Sequence, residues 1–143
     1  MDAVTPQAQK SADQHSHVVR PANMEWQKTR FPGCEVKTLL FDPATGLVTA
    51  LMRFEPGAIL PDHEHVKIEQ TYVLDGELHC GEGICKAGQF VWRPAGSRHE
   101  AWAGPKGGLF LAMFQIPNRF FQRDGRVTDF LGRDWSETWG SHR

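Results

Sequence analysis

The sequence predicts an all-β fold, a single antiparallel sandwich or barrel, and three observations predict it. Glycine (14) and proline (9) are abundant for 143 residues while charge is modest, a balance that suits short strands and tight turns rather than long helices. Short apolar runs alternate with clusters of Pro, Gly and Asp at the intervals typical of sandwiches and small barrels. The length is that of one domain, ~100–150 residues, so two independent cores are not expected.

Residues 1–25 read as a flexible polar arm. Met1 to Asn23 carries too few large apolar side chains to offset the entropy of ordering it, and its His15-x-His17 pair has no third ligand in reach. Residues 26–117 read as the barrel, with runs at Val36–Phe41, Leu47–Phe54, Glu69–Leu74, Glu77–Cys80, Gln89–Trp92, His99–Trp102 and Leu109–Ile116. Asp42-Pro43-Ala44-Thr45-Gly46 joins the first two, and Asp75-Gly76 predicts a tight hairpin, because both central residues of a type I′ turn need positive φ. Arg93-Pro94-Ala95-Gly96 fits a type I turn. Residues 118–143 read as an aromatic tail that packs on the barrel or on a dimer partner. Within it Trp135 and Trp139 share one face if Asp134 starts a short helix.

Composition also excludes functions. Sixteen Lys and Arg against seventeen Asp and Glu leave a net charge of −1, so no cationic field exists for nucleic acid or an anionic membrane. The longest apolar run, Leu109 to Phe114, is far short of the ~20 residues of a membrane-spanning helix. Cys34, Cys80 and Cys85 are odd in number and form no C-x-x-C pair, and the N-terminus has no signal-like apolar segment. Free thiols and a cytoplasmic location are therefore expected.

The chemistry lies in the histidines. Side chains alternate along a strand, so His63 and His65 point the same way, and Glu69 shares their parity if the chain stays extended through Val66-Lys67-Ile68. Polar groups turned into a barrel lose water, and a cation that accepts imidazole and carboxylate lone pairs satisfies them together. His79 stands apart, as a structural or solvent-facing residue. Of Met52, Phe54, Phe90, Trp92, Trp102, Phe110 and Phe114, about half can wall a pocket by parity, and Arg53, Arg93 and Arg98 are expected at the surface.

The spacing Gly57-x5-His63-x-His65-x3-Glu69-x6-Gly76, followed by Gly88-x5-Pro94-x-Gly96-x2-His99, resembles the two motifs of the cupin superfamily, with Ala103 where the second motif ends in Asn. The spelling Glu69-Gln70-Thr71-Tyr72-Val73-Leu74-Asp75-Gly76 is most similar to a small bacterial, RmlC-like branch. That branch holds diketone-cleaving dioxygenases and the cupin half of chromate-resistance-type anti-sigma factors. The resemblance implies a double-stranded β-helix, or jelly-roll barrel, with a divalent metal held by His63, His65, Glu69 and His99.

It further implies an iron(II) dioxygenase acting on a small dicarbonyl or hydroxyketone, working as a homodimer with no protein nucleophile. Zinc, nickel and manganese are the other candidate metals. A zinc-binding regulatory domain and a metal-dependent sugar isomerase are the alternative readings that the same scaffold supports.

Overall fold

The computed structural model describes residues 15–140, so residues 1–14 of the expected arm, and His142, lie outside the described residues. A short 3-10 turn at Pro21–Asn23 is followed by ten strands and one helix. These are β1 (Gln27–Lys28), β2 (Cys34–Asp42), β3 (Leu47–Phe54), β4 (Ile59–Glu64), β5 (Glu69–Cys80) and β6 (Gly83–Lys86). After them come β7 (Phe90–Arg93), β8 (Arg98–Gln115), β9 (Arg119–Phe121), β10 (Val127–Thr128) and α1 (Trp135–Trp139). All pairings are antiparallel and link the strands into one curled sheet, the predicted cupin barrel.

β8 is the spine. Its second half lies between β3 (Ala50↔Ala112) and the start of β5 (Thr71↔Ala112), and its first half lies between β4 (His63↔His99) and the end of β5 (Cys80↔Ala101). Between the halves the chain runs through Gly104-Pro105-Lys106-Gly107-Gly108, which relieves the side-chain crowding of a bend. The inward residues of these strands alternate as period-two burial demands. Phe54 meets Phe110 edge to face at 5.3 Å, and Val73, Leu78, Cys80 and Ala103 complete the core.

Four local expectations change. The runs at Glu69–Leu74 and Glu77–Cys80 form one strand, and so do those at His99–Trp102 and Leu109–Ile116. Asp75-Gly76 makes no hairpin. Gly76 takes φ +70° within a bulged stretch of β5, where a Cβ would collide with the Gly107 carbonyl oxygen on β8. The turn before β8 spans Pro94–Ser97, one residue later than the pattern suggests, with Ser97 N–H donating to Pro94 O at 3.1 Å.

The chain after Pro117 folds back across the barrel. Trp135 is buried, and Phe130 meets Phe31 and Phe120 edge to face. Arg30 donates to the carbonyls of Phe130 (2.8 Å) and Asp129 (3.0 Å). Asp134 caps α1, accepting from Glu137 N–H, so Trp135 and Trp139 do share a helix.

Candidate metal centre

His63 and His99 come together because β4 and β8 pair in a register that sets them directly opposite one another. His65 follows β4 and is pinned by its backbone, its N–H donating to Ser97 O and its carbonyl accepting from Gly96 N–H. The turn that precedes His99 thus also fixes His65. All three rings are buried, at 1%, 1% and 9% exposure. One ligand atom from each falls within 4.8 Å of the others.

The outer nitrogens of His63 and His65 face protein groups away from that point. His63 Nδ1 lies 2.7 Å from Pro61 O, which as an acceptor assigns the proton to Nδ1 and leaves Nε2 its lone pair. His65 Nδ1 lies 3.1 Å from Glu69 Oε2, and Asn118 lies against the same ring. His65 Nε2 and His99 Nε2 are only 2.8 Å apart. Two imidazole nitrogens at that distance either share a proton or turn their lone pairs towards one cation.

Burial is the main cause that keeps these rings neutral, holding His63 at about 4, His65 at about 2 and His99 at about 3, with neighbouring imidazoles and Arg93 adding to it. Neutral imidazoles are the form that ligates. The donor set, three nitrogens with no thiolate, fits a borderline divalent cation.

Of the four residues predicted for this site, the structure brings three together; Glu69 stands outside the triad. The chain does not stay extended between His65 and Glu69 but bends at Val66-Lys67, so Glu69 begins β5, opposite Arg93 on β7. Its carboxylate meets the far side of the His65 ring. Burial raises it to about 7, with Arg93 and the Thr71 hydroxyl pulling the other way.

Arg93 corrects another expectation, since it is 3% exposed rather than at the surface. Its Nη1 donates to Glu82 Oε1 at 3.0 Å, its Nη2 to Cys80 Sγ at 2.7 Å, and its Nε lies 3.8 Å from Glu69 Oε1. The signal was available in strand parity, because Arg93 lies two residues from Val91, which packs against the core. Asn118 and Asp129 left no such signal, since both reach the site through long-range folding of the tail. Arg53 and Arg98 pair with Glu35 and Asp62 at the surface, and His79 with Glu77.

A cavity of about 440 Å³ opens beside His63 and Glu69. Val48, Ala50, Met52, Leu60 and Phe114 line its barrel side, while Phe130, Leu131 and Trp139 from the tail line the other. Met52 and Phe114 therefore do wall a pocket. Phe54 and Phe110 are core, and Phe90 and Trp92 face outward, half exposed.

The ChrR cupin-like domain is the family whose model matches the chain, over residues 14–118. No curated protein matches it. Among solved structures, the acetylacetone dioxygenase from Acinetobacter johnsonii is 20% identical with a TM-score of 0.70, over 99% of this chain and 97% of that one. An RmlC-like cupin from Ralstonia eutropha JMP134 is 17% identical with a TM-score of 0.72, over 89% and 84%. The complex of Rhodobacter sphaeroides SigE with the anti-sigma ChrR matches at 23% and 0.58, over 67% of this chain and 52% of that one. Likeness at these identities establishes a shared fold.

Proposed function

The chain belongs to the ChrR cupin-like domain family, and we propose that this protein is a metal-dependent dioxygenase that binds iron(II) and acts on a small dicarbonyl or hydroxyketone. The observation that carries the reading is a triad of neutral, buried imidazoles beside an apolar cavity. His63, His65 and His99 would hold the ion, with zinc, nickel or manganese as its competitors, and Glu69 would act from behind His65 rather than as the fourth ligand. Residues 26–117 serve as the barrel and the chain after 117 as its cover. An iron(II) ion, when bound, supplies Lewis acidity towards a pair of substrate oxygens and a redox centre for dioxygen.

The remaining work falls to the chain's own groups. The apolar walls exclude water, which strengthens every charge interaction at the floor. Glu69 borders the cavity floor beside the His65 ring, where its carboxylate can serve as a general base. It takes the proton from the carbon between two carbonyls, and the electron pair of that C–H bond becomes the enolate. Arg93 steadies the carboxylate before the transfer.

Protein purified without oxygen should contain iron or accept it stoichiometrically, and should then consume dioxygen with a dicarbonyl or hydroxyketone. Stoichiometric zinc with no uptake after iron reconstitution would identify a regulatory zinc domain instead. Turnover that needs no oxygen would identify an isomerase.

The protein is further proposed to act as a homodimer. Rows Phe90–Tyr72–Leu111–Leu51 and Trp92–Gln70–Met113 run across the outer faces of β7, β5, β8 and β3. Phe90, Tyr72 and Trp92 are left 49%, 41% and 57% exposed. At ~150–250 Å² per aromatic side chain these three alone offer roughly 300 Å². With the leucines and methionine beside them they supply much of the ~800 Å² that one partner of a stable pair buries.

A further inference from the structure

The shape and lining of the cavity say more about its ligand than the triad does. Its barrel walls are apolar, from Val36 on β2 through Ala50 and Met52 on β3 to Phe114 on β8. Polar groups reach it in three places. One is the floor, with His63, Glu69 and Asn118; another is the tail, with Asp129 and Arg133; the third is the lone hydroxyl of Thr38 on β2.

The tail pair is already joined, and the Asp129 carboxylate is fully used. Asp129 Oδ1 accepts from the backbone N–H groups of Leu131 (2.9 Å) and Arg133 (3.0 Å), and its Oδ2 accepts from Arg133 Nε (2.8 Å) and Trp139 Nε1 (3.0 Å). Arg133, the cation that lines the cavity among the described residues, thus spends its Nε on a carboxylate whose charge offsets its own towards an anionic ligand. Asp129 has a second role in the same bonds, holding Trp139 and the loop of Leu131 over the cavity.

A space of about 440 Å³ is in the range that encloses a drug-sized ligand, and a five-carbon diketone would leave most of it to water. Water there would find few polar partners on the walls, so an apolar group gains by replacing it. Resting on the dioxygenase reading for the chemistry at the floor, we propose that the substrate is an uncharged dicarbonyl whose two oxygens meet the triad. Its body is an alkyl chain or aryl ring of several carbons that fills the cavity beneath Phe130, Leu131 and Trp139. Ligands that carry a carboxylate in place of that body are selected against.

Binding to metal-free protein tests this without turnover. Tryptophan fluorescence titrations would compare 2,4-pentanedione, 2,4-heptanedione, 2,4-nonanedione, 1-phenyl-1,3-butanedione and acetoacetate. The dissociation constant should fall about fourfold for each added methylene. Acetoacetate should bind no more tightly than 2,4-pentanedione. Ala50→Phe, which fills the cavity from β3, should abolish the gain with chain length. Should that variant fail to fold, Val36→Phe fills the same space from β2.

A flat series, no binding of any member, or a preference for acetoacetate overturns the inference. Oxygen uptake by the iron-loaded protein separates this from the reading beneath it. Graded binding with no uptake from any member removes the dioxygenase and leaves the apolar ligand site. Uptake with 2,4-pentanedione beside a flat series does the reverse.

Discussion

His63 and His99 face each other across the β4–β8 ladder with ring centroids 4.5 Å apart. The pairing register of two strands therefore sets the distance between two candidate ligands, and a one-residue slip would send one of them to the opposite face of the sheet. Two of the three candidate ligands are thus built into the barrel ladder, and His65 directly follows it. The properties of the centre should accordingly appear in the stability of the whole domain.

Metal should stabilise the fold. An ion that binds only the folded chain, present at ~100 times its dissociation constant, adds about 2.7 kcal/mol, or roughly 10 °C in melting temperature for a domain of this size. Scanning calorimetry with and without chelator should show that difference. The difference should vanish in His63→Ala and in His99→Ala, and an unchanged melting temperature in the parent protein would argue against the triad as a site.

Acid should destabilise the metal-free protein well above the ordinary carboxylate range. Unfolded imidazoles take up protons near 6.5, whereas His63, His65 and His99 in the fold do so at about 4 or below. Between those values the unfolded chain binds more protons, so stability falls as the pH drops from 6.5 towards 4. Glu69 opposes this: its folded value of about 7 lies above the ordinary 4.5, so its contribution is full below 4.5 and is lost as pH rises through 7. In the shared window three groups outweigh one, and urea midpoints measured in chelator should report a loss of at least about 2 kcal/mol between pH 6.5 and 5.

Arg93→Met should cost about 3 kcal/mol, because it leaves the buried Glu69 carboxylate without a cation. Glu82→Ala removes the exposed partner of the same guanidinium and should cost less than about 1 kcal/mol. Equal losses in denaturant unfolding would show that Arg93 serves Glu82 and not the centre.

Two motif glycines should respond differently to alanine. Gly88 has φ +81° with no atom near its absent Cβ, so Gly88→Ala carries only the backbone penalty of about 1 kcal/mol. At Gly76 the same strain is joined by the collision with β8, and Gly76→Ala should lose at least about 3 kcal/mol. Unfolding midpoints that coincide would contradict the close approach of β5 and β8.

Trp92→Glu should convert the proposed dimer to a monomer in light scattering while leaving the circular dichroism spectrum unchanged. The substitution places a charge at the β7 end of the outer rows, on their most exposed aromatic residue, without touching the core. A parent protein that is already monomeric at high micromolar concentration would remove the interface.

Much of this was legible in the sequence, and what was not failed for physical reasons. Leu47–Phe54 was read at its true ends because alternation and two turn clusters agree there. The spacing pointed to His63, His65, Glu69 and His99, and the fold clusters the three imidazoles with Glu69 beside His65. The bend at Val66-Lys67, which puts Glu69 at the start of β5 rather than on the strand of His63, was not legible in strand parity. Asp75-Gly76 was read as a hairpin because positive φ serves both a tight turn and a bulge, and only the neighbouring strand decides between them. Asn118 and Asp129 depend on where the tail lands, which no local pattern encodes.

The floor of the cavity and its cover come from separate stretches of chain, His63 and Glu69 below and residues 129–139 above. Part of the proposed selectivity is thus written away from the proposed ligands, and sequence drift in the cover need not disturb them. A descendant could exchange the covering segment, meet a new ligand and keep the inherited imidazoles.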